Sequence, residues 1–144
     1  MQRILPWLAG GLCAVLVPAA MAASSGRKNV LGTPLRTCCL QPKTGFARDG
    51  LCRAIDSDHG THTVCAVVTQ DFLKFTQARG NDLQTPRPEH DFPGLKAGDR
   101  WCLCVLRWRE ALQNQVAPPV VLASTDARSL DFVALAELQA HAAL

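Results

Sequence analysis

The chain has 144 residues, 48% of them hydrophobic, a net charge of +3 and seven cysteines. That length suits one domain, large enough to bury most of its apolar surface without metal or disulfides. The mild charge, with no Lys/Arg run longer than two residues, argues against a nucleic-acid partner, and no apolar run after residue 23 is long enough to span a membrane.

Residues 1–22 read as a secretion signal. Arg3 gives the positive start, Ile4 to Val17 is apolar and uncharged, Pro18 breaks the run, and Ala20-Met21-Ala22 is the small-x-small pattern a signal peptidase needs. Cleavage after Ala22 would leave 122 residues with 14 basic and 12 acidic groups. The expected location is periplasmic or secreted, with no membrane association after signal removal; the alternatives are an uncleaved anchor, or translation from Met21, which would give a cytoplasmic protein. Cys13 does not suit lipidation, because Leu12 stands where a small residue is needed.

Residues 23–28 are small and polar and read as a linker. Residues 29–144 are expected to form a single compact α+β domain: a small mixed sheet, helices packed on it, and a long proline-rich loop. Asn29 to Leu35 should lie on the domain outside any regular sheet. Thr37 to Cys52 is rich in turn formers, with Phe46 as its expected anchor in the core. His62 to Thr69 is apolar and β-branched, the pattern of a strand buried on both faces. Thr69 should cap a helix carrying Phe72, Leu73 and Phe75, which Gly80 stops.

Asn81 to Lys96 contains Pro86, Pro88 and Pro93, which remove backbone donors and fix φ. It should be an irregular loop pinned by Leu83, Phe92 and Leu95, a kind of segment that is often functional. From Arg100 the pattern predicts a strand to about Arg107 and then a helix to Gln115, ended by Pro118-Pro119. As a strand, it places Cys102 and Cys104 on one face and Trp101 and Leu103 on the other. Val120 to Ala123 should be a third short strand, Ser124 to Asp126 should cap a helical turn, and Ala134 to Ala143 should be a final amphipathic helix on Leu135 and Leu138.

These segments resemble the bacterial domain-of-unknown-function family 2237. The resemblance runs through Asn29-Val30-Leu31-Gly32, Thr44-Gly45-Phe46, Arg48-Asp49-Gly50, Cys52 and His62-Thr63-Val64-Cys65-Ala66. It continues in Gly80-Asn81-Asp82-Leu83, Thr85-Pro86, Phe92-Pro93-Gly94-Leu95-Lys96, Gly98-Asp99-Arg100-Trp101-Cys102-Leu103-Cys104 and Ala117-Pro118-Pro119-Val120. It implies no activity, cofactor or catalytic residue. The secretion signal and Cys39 beside Cys38 depart from the family pattern, whose members look cytosolic. A reducing cytosol would imply that bridging is not why the motif cysteines exist.

Six cysteines follow the expected cleavage site, and they allow three disulfides in 15 connectivities. Cys102 with Cys104 and Cys38 with Cys39 are poor pairs on geometry. If the turn-rich region is bridged, the expected partner of Cys52 is Cys38 or Cys39. There is no Cys-x-x-Cys, so a thioredoxin-type dithiol is not supported. Cys65, Cys102 and Cys104 read first as buried small hydrophobes. No cofactor is favoured. The alternative is zinc on Cys65, Cys102 and Cys104 from adjacent strands, with His62 or Cys52 as fourth ligand. His59-x-x-His62-x-x-Cys65 would need a helix to converge, and Gly60, Thr61, Thr63 and Val64 oppose one.

Asp82 should make an Asx turn after Asn81, and Asp99 should cap the turn before the strand. Arg48 and Arg100 are expected to pair with loop carboxylates, and with Asn81 and Asp82 they are the candidates for binding a small ligand. Cys102 or Cys104, beside His62 or Asp99, are the candidates for thiol catalysis. The reading favoured by the residues is a non-enzymatic, exported, cysteine-rich binding or structural domain whose partner is a small ligand or a protein. A thiol-dependent enzyme or a small zinc protein is the alternative.

Overall fold

The computed structural model describes Cys13 and residues 26–144. The expected signal at residues 1–22 lies outside the described residues except for Cys13.

The α+β class holds. Strand β1 (Val64–Val67) pairs antiparallel with β2 (Arg100–Leu103), with Val64 opposite Leu103 and Cys65 opposite Cys102. A two-stranded ribbon is marginal alone in water, and this one is extended and covered. On the far side of β1, Val67 N–H donates to Pro119 O and Val121 N–H to Cys65 O, both at 2.8 Å. Helices α1 (Gln70–Ala78) and α2 (Val105–Gln113) follow the two strands directly, and α3 (Leu135–Ala140) closes the chain.

The alternation of strand side chains divides the interior in two. Val64, Ala66, Trp101 and Leu103 join Phe72, Leu73, Trp108 and Leu138 in the main core. Cys65 and Cys102 instead form a separate buried cluster with Cys38 and Cys52, against which Val121 packs. Trp108, fully buried, satisfies its indole by donating from Nε1 to Pro118 O at 3.1 Å.

Helix α1 starts where expected: the Thr69 hydroxyl accepts from Phe72 N–H at 3.1 Å, and Gly80 follows the end at φ +88°. The proline-rich stretch has a 3-10 turn at Pro88–His90, closed by a single bridge between Arg87 and Phe92. Phe92 and Leu95 are buried and Leu83 partly so, with Leu95 N–H donating to Leu83 O at 2.8 Å. The ring of Phe92 lies 5.2 Å from that of Trp101.

Three expectations are corrected. The strand from Arg100 stops at Leu103 rather than near Arg107, because Cys104 turns to φ −54°, ψ 125° and opens α2. Helical spacing then buries Val105, Trp108 and Ala111 together. Val120 to Ala123 is not a strand: Val120 makes single bridges to Ala66 and Ala142, and a 3-10 turn begins at Leu122. Ala123 O is taken by Arg36 N–H and by the Asn29 amide. Phe46 is 48% exposed and anchors nothing. Its loop is held instead by buried Thr44, Cys38 and Cys52, with the Thr44 hydroxyl accepting from Cys102 N–H at 2.8 Å.

Candidate functional site

Two features border the β1–β2 ribbon and share Cys102: a cleft beside Trp101, and the buried sulfur cluster. The cleft begins with the polar turn before β1. Asp58, buried, accepts from Gly60 N–H, from His62 N–H at 2.8 Å and from the His62 ring at Nδ1, 2.8 Å. This fixes the imidazole and leaves its other edge facing outward, packed over Gly60, where a Cβ would collide with the ring.

A cleft of about 240 Å³ runs past Gly60 and His62 to Asn81, Leu83, Trp101, Cys104 and Arg107. A second, of about 190 Å³, continues from His62 and Trp101 to Gly45, Phe46 and Arg48. Both share His62, Trp101 and Cys102, and neither is lined by a carboxylate. The guanidinium of Arg48 lies 5.0 Å over the Trp101 ring. Arg48, which lines the second cleft, and Thr61, which precedes His62, carry left-handed backbone, at φ 56° and φ 48°. Such strain costs of order 1–3 kcal/mol and concentrates at functional sites. A larger cleft of about 510 Å³ lies beyond Arg48, between Pro42 and the Pro86–Pro93 loop. Four prolines and the charged groups of Lys43, Arg48 and Asp91 line it, but the free thiol and the His62 held by Asp58 belong to the smaller clefts.

The expected candidates distribute unevenly. Cys102, Cys104, His62, Asn81 and Arg48 come to the Trp101 clefts, joined by Arg107, which the sequence did not single out. Asp82 does not: it makes the expected Asx turn, accepting from Gln84 N–H, Thr85 N–H and the Thr85 hydroxyl. The Thr85 hydroxyl bond, followed by the two N–H bonds, holds its carboxyl below the usual carboxylate range. Asp99 accepts from Lys96 N–H at 3.0 Å, a turn cap as expected. The pairing expected of Arg48 and Arg100 with carboxylates is not seen among the described residues. Arg48 donates instead to Lys43 O and stacks on Trp101.

The cysteine pairing is corrected. Cys52 is bonded to Cys102 rather than to Cys38 or Cys39, Cys38 is bonded to Cys65, and Cys39 to Cys13. The turn-rich loop is therefore tied to the sheet instead of being closed on itself. Cys104 is free and partly exposed. The set Cys65, Cys102, Cys104 and His62 does not converge among the described residues: Cys65 lies in the sulfur cluster, while Cys104 and His62 line the cleft. The three thiol positions that do lie close are Cys38, Cys52 and Cys102, their sulfurs within 4.8 Å of one another.

Sequence reasoning missed Asp58 as the partner of His62, although an Asp two residues before Gly60 is an Asx-turn signal. Asp126 caps a helical turn as expected, accepting from Arg128 N–H at 2.8 Å, but sequence reasoning missed that its buried carboxylate also accepts from Arg27 Nε at 2.6 Å and Ala54 N–H at 2.8 Å. Its hydrogen bond raises the Arg27 pKa further above the neutral range.

Residues 28–142 match the profile of a family described as "Uncharacterized protein conserved in bacteria (DUF2237)". No curated protein matches the chain.

Proposed function

Because the chain belongs to the bacterial family DUF2237, whose description names no activity, we propose a function from the site itself: a disulfide-stapled binding domain that takes a small organic anion with an apolar body. The disulfides suit an oxidising compartment, and we place the protein in the periplasm or outside the cell. The observation that carries the reading is the lining of the paired clefts, where Trp101, Phe46 and Leu83 supply apolar surface, Arg48 and Arg107 stand at the two ends, and no carboxylate lines either cleft. Arg107 already pairs with Glu110 at 3.3 Å, which leaves Arg48 as the principal anion partner. An apolar pocket with a few convergent polar groups is the usual form of a small-molecule site.

Benzoate titrated into the protein, followed by the Trp101 indole N–H resonance, tests it. Saturable shifts that weaken at least ten-fold in Arg48→Gln are expected. Neutral benzamide binding as well as benzoate, or no shift with either, defeats the reading.

One observation favours a second reading, thiol chemistry: Cys104 is free, and it shares its cleft with a His62 held by buried Asp58, the arrangement in which a third group orients a base. Iodoacetamide alkylation of Cys104 should then slow at least ten-fold in His62→Ala, and also in Gly60→Ala, which displaces the ring without removing it. Equal rates in all three proteins reject it.

A further inference from the structure

We infer that Cys38, Cys52, Cys65 and Cys102 form a redox-gated metal site, which binds one thiophilic divalent ion of the zinc class when both disulfides are reduced and releases it when they re-form.

The geometry comes from the sheet. Cys65 and Cys102 are directly opposite in the antiparallel register. They do not exchange backbone hydrogen bonds: Cys65 N–H donates to the Thr125 hydroxyl at 3.1 Å and Cys102 N–H to the Thr44 hydroxyl at 2.8 Å. They are thus a non-hydrogen-bonded pair, the kind whose side chains lie closer together. The other two cysteines come from the ends of one loop, closed by Cys38 N–H donating to Gly50 O at 2.8 Å. Two ribbon positions and two loop ends therefore bring four cysteines into one buried cluster.

The sulfurs of Cys38, Cys52 and Cys102 lie within 4.8 Å of one another although they belong to two different disulfides. In a tetrahedral zinc site with metal–sulfur bonds of about 2.3 Å, the sulfurs stand roughly 3.8 Å apart. The three are thus already gathered within reach of one ion, and reduction would have to let the bonded Cys52 and Cys102 sulfurs separate to that spacing. The fourth, Cys65, is bonded to Cys38 and lies outside that group of three, and reduction frees its side chain to turn toward it. All four residues are no more than 2% exposed. Among the described residues, no other group of three His, Cys, Asp or Glu side chains draws its ligand atoms so close. The Thr44 and Thr125 hydroxyls fix the backbone of two ligands, the outer-shell support that metal sites need.

The chemistry balances. Each disulfide takes two electrons and two protons from a dithiol reductant, which leaves as its own disulfide. The four thiols that result lose up to four protons to solvent as the ion binds. Re-oxidation by a disulfide oxidant withdraws the four electrons, re-forms both S–S bonds and expels the ion.

The test uses the full chain, reduced anaerobically, freed of metal and titrated with Co²⁺. Binding of one equivalent is expected, with sulfur-to-cobalt charge-transfer absorption and the intense visible bands of a tetrahedral centre. Zn²⁺ should displace it, and the oxidised protein should bind none. Cys38→Ser and Cys52→Ser should each weaken binding at least ten-fold, while Cys39→Ser and Cys104→Ser leave it unchanged. Far-UV circular dichroism of the reduced chain should show Zn²⁺ holding or restoring the fold. A reduced chain that binds no Co²⁺, folded or unfolded, overturns the inference. So does binding lost in Cys104→Ser but kept in Cys38→Ser and Cys52→Ser, which would move the site to the Trp101 cleft.

Discussion

Cys65 and Cys102 face each other across the β1–β2 ribbon without bonding to each other; each is tied to a different end of the Cys38–Cys52 loop. The loop that carries Thr44 and Arg48 is thereby fixed against the sheet on one face, and Arg48 reaches Trp101 on the other. Stapling and cleft formation are two consequences of one attachment.

Non-reducing peptide mapping should recover the Cys38–Cys65 and Cys52–Cys102 links. Their residues are 27 and 50 apart in sequence, which makes each bond worth about 3.5–4 kcal/mol in the chain-entropy account. Thiol counting adds a second result. Removal of residues 1–22 takes away Cys13, the partner of Cys39, so the processed protein should show two free thiols, Cys39 and Cys104, and the unprocessed chain one. A Cys38–Cys52 or Cys39–Cys52 peptide would contradict the pairing.

Phe92→Ala should cost about 3–5 kcal/mol in denaturant melts, the usual range for emptying a buried aromatic position. The ring is 7% exposed and packs against Trp101, and it secures a loop with few backbone bonds of its own. His90→Ala, on the exposed crest of the same loop, should change stability by no more than about 0.5 kcal/mol. A near-neutral Phe92→Ala would mean that the loop is a mobile cover.

Asp126→Ala should destabilise by about 3 kcal/mol, the lower end for breaking a buried ion pair, because the Arg27 side chain is still 41% exposed. The loss also leaves the Ala54 and Arg128 N–H groups without their acceptor. The Arg27 pKa is raised, so on the alkaline side the pair's contribution is lost only as pH rises through that raised value, far above neutrality. Equilibrium unfolding at pH 7 and pH 9 should therefore give the same difference between wild type and Asp126→Ala.

Asp82 carries the opposite sign. Its carboxyl is held below the ordinary range, chiefly by the Thr85 hydroxyl, so what it contributes is present above the unfolded-state value and is lost as pH falls through the depressed folded value. Carboxyl ¹³C titration should find this aspartate ionised at pH values where an unstructured one is already half protonated. Thr85→Val should move its midpoint upward. A midpoint unchanged in Thr85→Val would show that the hydroxyl is not the cause.

What the amino-acid order determined by itself is local. The β-branched run at Val64–Val67, the Thr69 cap, the Gly80 stop, the Asp82 and Asp99 turns and the irregular Pro86–Pro93 loop each depend on groups a few residues apart. Periodicity, capping and fixed φ act over that range, so these features were legible before any coordinates. Tertiary structure alone decided which cysteine meets which, and left Cys104 as the free thiol. It also decided that Phe46 points outward, that Asp126 gathers Arg27, Ala54 and Arg128, and that Arg48 covers Trp101. Those outcomes rest on distances between segments tens of residues apart. Six cysteines beyond the expected cleavage site are chemically alike in a sequence; only the strand register and the path of the Cys38–Cys52 loop bring particular sulfurs within bonding distance.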